Sequence, residues 1–236
     1  MTATTEITNF TGFQGIYEVP EAARYIKFDI RIPDRRYNIH SSHIIRWIRK
    51  GLADPELVHI HGRQMVLSFE DLVSMRVIAF LRALGYSFHK IKIAERNLRN
   101  LVGHSHPFAT ESVWAENQGA LDIFADMGNE LMTATRGGQF AFVELVREHL
   151  INMHGMTFNQ RHIADSWSPK PGILMHPRIQ FGRPCILGTR IPTSELLGMV
   201  DAGDNVVFLA RSYGVEIIQI ETAITWEREI RKLAAA

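Results

Sequence analysis

Ser41-Ser42-His43-Ile44-Ile45-Arg46-Trp47-Ile48-Arg49-Lys50, closed by Gly51, reads as a helix with two unlike faces. Serines suit the start of a helix and glycine its end. At helical spacing Ile44, Trp47 and Ile48 share one face, and Ser42, His43, Arg46, Arg49 and Lys50 share the opposite one. Before it, Val19-Pro20-Glu21-Ala22-Ala23-Arg24-Tyr25-Ile26 carries the start signals of a short helix: proline at the first position, an acid, then alanines. A polar stretch, Lys27 to His40, separates the two and contains Arg35 and Arg36. After the basic helix, Leu57 to Leu67 gives two β-prone runs around His61-Gly62-Arg63, the pattern of a hairpin. Ser68 then caps a helix from Phe69 to Leu84, ended by Gly85, and a basic helix runs from about Ser87 to Val102. Helix, second helix with a cationic face, then hairpin is the order of a winged helix-turn-helix. Arg46, Arg49 and Lys50 would face the major groove, where Arg pairs with guanine edges and either cation meets phosphate. Ser42 and His43 open the same face, and Arg63 at the hairpin tip would touch the DNA backbone. The competing reading is an exposed amphipathic helix with solvated charges.

Charge supports a division of labour. The chain of 236 residues has net charge +1. Residues 1–102 hold 15 Lys/Arg against 10 Asp/Glu, residues 103–160 hold 2 against 7, and residues 161–236 hold 9 against 8. A basic first part and an acidic middle suit different partners, and charge alone equally fits a solvated surface that falls unevenly. Composition is that of a globular protein, with 46% hydrophobic and 22% charged residues, which excludes a disordered or collagen-like chain. The single cysteine, Cys185, excludes an intrachain disulfide and a Cys-rich zinc site. No apolar run approaches the roughly 18 residues a membrane span needs, and Met1 to Asn9 lacks a signal-peptide pattern. The expectation is a cytoplasmic protein with no membrane association.

The rest of the chain divides again. Val113–Asn117, Leu121–Asp126 and Leu131–Thr135 are candidate strands, Gln139–Leu150 a helix, and Met156–Phe158 and His162–Ala164 short β-prone runs around Asn159-Gln160. Trp167-Ser168-Pro169-Lys170-Pro171-Gly172 reads as a linker. Three helices close the chain: Thr193–Ala202, Asn205–Tyr213 with Asp204 as N-cap, and Glu216–Lys232. A short glycine turn at Gly214 between the last two gives helix-turn-helix geometry. The fold class is therefore mainly α with a small α+β middle. Residues 13–102 form the winged helix-turn-helix, 103–168 the middle segment and 169–236 a three-helix, helix-turn-helix-like domain.

Two resemblances sharpen this reading. Val19 to Tyr25 together with Ile45-Arg46-Trp47-Ile48-Arg49-Lys50-Gly51-Leu52 resembles the MerR-type winged helix, although Lys27 to His40 is longer than that family's usual turn. Pro177, Ile179, Phe181-Gly182-Arg183-Pro184, Ile186, Gly188-Thr189-Arg190-Ile191-Pro192, Leu196-Leu197, Ala202-Gly203-Asp204 and Tyr213 resemble a bacterial domain of unknown function found in antitoxins. The two in this order resemble one group of VapB-like antitoxins of VapBC toxin–antitoxin modules. That resemblance implies a PIN-domain ribonuclease toxin as partner, with a divalent ion in an acidic pocket. The candidate toxin-binding residues are then Arg190, Trp226, Arg228, Arg231 and Lys232, with a cation inserting among the toxin carboxylates. Otherwise the cations of the last helix simply favour its dipole, and Arg190 pins its own turn.

The expected function is an antitoxin that silences a ribonuclease and represses its own operon. A symmetric operator asks for a homodimer, with its interface on the helices between 69 and 102 or in the middle segment. The alternative is a stand-alone MerR-like regulator responding to a small molecule. A third reading, an enzyme using the Arg190 turn as a phosphate site, has no nucleophile elbow or phosphate loop behind it. His59-x-His61 and His104-x-His106 lack the further ligands of a zinc site. No metal, cofactor or catalytic residue is expected.

Overall fold

The computed structural model describes residues 15–30, 38–52, 65–114 and 155–235. Strand β1 (Tyr17–Glu18) passes directly into helix α1 (Val19–Asp29), with Pro20 in its first turn, where a missing N–H is no loss. Helix α2 (Ser41–Arg49) follows, then strand β2 (Val66–Leu67), which pairs antiparallel with β1. Helices α3 (Phe69–Ala83) and α4 (Phe88–Val102) lead through a short turn of helix at Pro107–Ala109 to α5 (Glu111–Trp114). Strands β3 (Met156–Phe158), β4 (Ala164–Lys170), β5 (Ile173–Met175) and β6 (Cys185–Ile186) form an antiparallel sheet in that order. Helices α6 (Thr193–Asp201), α7 (Val206–Tyr213) and α8 (Ile217–Ala235) complete the chain. Among the described residues the protein is mostly helical with two small sheets, as the patterning predicts.

Caps set the helix limits. The Ser68 Oγ accepts the Asp71 N–H at 3.1 Å and the Asp71 carboxylate accepts the Ser68 N–H at 2.9 Å, a reciprocal start for α3. Ser87 accepts the Lys90 N–H at 3.3 Å, and Gly103 ends α4 at φ +69°. For α7 the cap is Asn205, whose side chain accepts the Val207 N–H at 2.8 Å, and not Asp204 as expected.

Four further expectations change. α1 continues past Ile26 to Asp29, so part of the Lys27–His40 stretch is helix; Arg35 and Arg36 lie outside the described residues. Val66–Leu67 is a strand, but its partner is Tyr17–Glu18; the rest of the expected hairpin, including Arg63, lies outside the described residues. The expected strand at Val113 begins as helix α5, while the candidate elements between 121 and 150 lie outside the described residues. Trp167–Gly172 is not a linker. It is the end of β4 and the turn into β5, with Trp167 fully buried. Pro169 fits because the β4–β5 register shifts between Trp167 and Lys170, and a bulge does not need the missing N–H.

One apolar core runs through these elements, from Tyr17 to Ile230. Every residue from Asp71 to Leu81 is buried. Arg76, at 1% exposure, pairs with Asp29 of α1 and lies 4.5 Å over the Trp167 ring of β4. Trp226 of α8 stacks on Tyr25 at 6.0 Å and meets Phe28 edge-on at 4.7 Å. The Tyr17 hydroxyl donates to the Gly182 carbonyl at 3.0 Å. The first and last parts of the chain are thus packed against each other.

Candidate functional site

The cationic face of α2 starts from how the helix is seated. Ile44, Trp47 and Ile48 are buried, and Leu52 is buried just beyond the end, its N–H donating to the Trp47 carbonyl at 3.0 Å. That anchoring turns Ser42, Arg46, Arg49 and Lys50 outward, and all four are exposed. His43 is half-buried, its ring near-parallel to Trp47 at 6.2 Å. The His40 N–H donates to His43 Nδ1 at 3.2 Å, which places the neutral ring's proton on Nε2. Burial, followed by the charges of Arg46, His40 and Arg82, lowers the His43 pKa from its ordinary value. The ring therefore stays neutral while its surroundings are positive.

α4 adds to this surface. The Lys92 ammonium donates to the Lys50 carbonyl at 3.2 Å, and the Lys50 ammonium lies 5.4 Å over the Phe88 ring. Arg82, at the end of α3, donates to the Tyr86 carbonyl. Lys92 and Arg82 were not legible as part of the site. Their positions depend on how α3 and α4 fold back beside α2, and no local motif encodes that.

The C-terminal candidates scatter. Arg190 is exposed in the turn after β6, and its side chain has no partner among the described residues. The turn is pinned instead by Thr189, whose hydroxyl donates to the Ile186 carbonyl at 2.9 Å and accepts the Ile191 N–H at 3.1 Å. Arg228 and Lys232 are exposed on α8 without a partner among the described residues. Arg231 is exposed and paired with Asp201 of α6 at 2.9 Å. Trp226 corrects its expected role: it is 0% exposed beneath α1, so its ring packs the core and presents nothing to a partner.

His104 and His106 form an ion-pair network, and His59 and His61 lie outside the described residues. His106 is buried, with Nε2 3.0 Å from Asp71 Oδ1 and Nδ1 3.4 Å from Glu70 Oε2. His104 Nε2 lies 2.9 Å from the same Glu70 oxygen. Burial opposes charge on His106, but the hydrogen bonds and charges of Asp71 and Glu70 outweigh it and push its pKa up to about 10. The described residues contain no cluster of His, Cys, Asp and Glu placed to hold a metal ion. Cys185 is buried, and burial pushes its thiol up to about 11, which keeps it unreactive. No helix among the described residues is long and apolar enough to cross a membrane.

Residues 173–226, which span β5 to α8, match a family model described as protein of unknown function (DUF433). The chain is 24% identical over 181 residues to a Mycobacterium tuberculosis protein named "Putative antitoxin VapB45", covering 71% of this chain and 74% of that one. A crystal structure of Rv2018 from Mycobacterium tuberculosis matches it with TM-score 0.65 at 19% identity, over 88% of this chain and 96% of that one. This last likeness is one of fold: the arrangement of helices and small sheets described above recurs in a solved structure.

Proposed function

We propose that this chain is an antitoxin that neutralises a PIN-domain ribonuclease toxin by direct binding and represses its own operon by binding operator DNA. The observation that carries the reading is the outward face of α2. Arg46, Arg49 and Lys50 are exposed beside Lys92, and the helix contains no acidic residue. In a MerR-like winged helix-turn-helix over residues 13–102, Arg46 and Arg49 read guanine edges, with Ser42 and His43 at the leading end. Lys50 and Lys92 hold phosphate, and Arg63 reaches the backbone. The name of the Mycobacterium relative supports the toxin half.

Residues 169–236 carry the toxin contact and 103–168 join the two. Arg190, Arg228 and Lys232 are exposed cations available to enter an acidic nuclease pocket and displace its metal or RNA phosphate. Arg231 must first leave Asp201, a surface pair worth at most about 1 kcal/mol. The protein acts stoichiometrically in the cytoplasm, as a homodimer, without catalysis of its own.

Because Trp226 packs on α1, deleting residues 1–102 would uncover an apolar face. The test therefore uses the full chain. It is coexpressed with the PIN-domain protein encoded beside it, purified, and assayed for ribonuclease activity and for binding to its own upstream DNA. A stable complex with silenced cleavage and salt-sensitive DNA binding is expected. Failure to form the complex, with DNA binding intact, overturns the antitoxin role in favour of a stand-alone MerR-like regulator with a small-molecule effector.

A further inference from the structure

Val207, Phe208, Tyr213, Ile217 and Ile218 lie on α7 and the first turn of α8, on either side of the turn at Gly214. They are half of the large apolar side chains exposed among the described residues, with Phe208 at 62% and Ile218 at 60%. Apart from the Tyr213 hydroxyl, which donates to Met199 Sδ of α6 at 3.5 Å, the local fold does not use them. α7 packs inward through Leu209 and Ala210, and α8 through Ile220, Ala223 and Ile224. At helical spacing Val207 and Arg211 share the outer face of α7, and Ile217 and Glu221 that of α8.

We infer that this face pairs with the same face of a second copy of the chain across a two-fold axis. Covering these five side chains removes roughly 500 Å² per copy, about 1,000 Å² for the pair, which reaches the threshold of a specific interface. The rim is self-complementary. Arg211 and Glu221 are exposed, opposite in sign, and without an ion-pair partner among the described residues. A two-fold operation brings Arg211 of each copy to Glu221 of the other. DNA or an acidic nuclease pocket would instead meet Asp204, Glu216 and Glu221 as like charges. Of the helices between 69 and 102 that the sequence offered as an interface, α3 is buried within its own chain from Asp71 to Leu81, and α4 exposes only the separate side chains Ile93 and Leu101 among its large apolar residues. The inference rests on the homodimer of the proposed function and deepens it by naming the face that pairs; a dimer whose mass ignores the variants below sinks this face and leaves that reading standing.

Sedimentation equilibrium of the full chain from about 1 to 100 µM tests it, since an interface at the lower end of size gives a micromolar dimer. The wild type is expected to reach the dimer mass. Phe208→Glu with Ile218→Glu is expected to stay monomeric with an unchanged circular dichroism spectrum. Arg211→Glu alone is expected to weaken pairing at least about tenfold, and adding Glu221→Arg to restore it; this pair decides the matter if the apolar variant does not fold. A monomeric wild type, a dimeric apolar variant, or failure of the charge swap to restore pairing overturns the inference. So does an apolar variant that keeps its mass but loses a coexpressed nuclease, which would assign the face to that partner. The mass reading is independent of DNA: a dimer that ignores its upstream DNA sinks the operator reading and leaves the pairing standing.

Discussion

Gly182 shows what a single residue holds in this fold. Its φ is +91°, and a Cβ there would lie 2.6 Å from Tyr17 Cζ and against the hydroxyl as well. The same hydroxyl donates to the Gly182 carbonyl, and the Ile16 N–H donates to the Phe181 carbonyl at 2.8 Å. Gly182→Ala is therefore expected to cost about 2–4 kcal/mol by denaturant unfolding. Tyr17→Phe in the same chain will not rescue it, because the ring carbon still clashes. The sequence shows this glycine only as part of the Phe181–Pro184 stretch that carries the resemblance, and its contact with position 17 belongs to no local pattern. His106 carries a pH prediction. Its folded pKa of about 10 lies above the ordinary 6.5, so its charge contributes stability fully present below about 6.5 and lost as pH rises towards 10. Glu70, whose own burial raises its pKa but is outweighed by His106 and His104, is held below the usual carboxylate value, so its share is lost as pH falls. Unfolding free energies of the wild type and His106→Gln are expected to differ by about 3 kcal/mol near pH 6 and to converge by pH 10. A gap that does not narrow would place the contribution in packing instead of charge.

Elements with a strong period and a chemical cap were legible. α3, α4, α6 and α7 run within a residue of their expected limits because serine, proline, asparagine and glycine stand at their ends, whereas α8 continues three residues past the expected Lys232, to Ala235. The β1–β2 pairing was not legible, since two strands of two residues carry no alternation. β4 was hidden by Pro169 and Pro171, which mimic a linker until the bulge that tolerates Pro169 and the turn that holds Pro171 are seen. α2 was the most readable element of the site, and its face is the place for a functional prediction. Arg46→Ala and Arg49→Ala are each expected to lower affinity for the upstream DNA by about 1–3 kcal/mol and to relax sequence preference. Lys50→Ala and Lys92→Ala are expected to weaken all sequences alike and to reduce the salt slope by about 1 each. Fluorescence anisotropy across a salt series separates the two classes. Four equal, salt-independent losses would mean that α2 does not lie in a groove.

At the scale of the molecule, DNA reading and partner binding are proposed at opposite ends of a chain whose ends share one core. The junction is built of large side chains: Trp226 between Tyr25 and Phe28, Arg76 between Asp29 and Trp167, and the Lys27 ammonium on the Leu233 carbonyl at 3.2 Å. Trp226 and Trp167 are both fully buried, so removing either ring leaves a cavity at the meeting of the two parts. A core of this kind makes the described parts unfold together. Tryptophan fluorescence and far-ultraviolet circular dichroism should therefore trace one transition in urea. Trp226→Ala is expected to cost about 3–5 kcal/mol and to pull the two probes apart, because α1 and α8 lose the contact that couples them while α2 keeps its own seat on Ile44, Trp47 and Ile48. Affinity for upstream DNA, measured at low urea, should then survive in the variant. If Trp226→Ala leaves the midpoint unchanged, α8 is not part of the shared core in solution and the two activities belong to independently stable units.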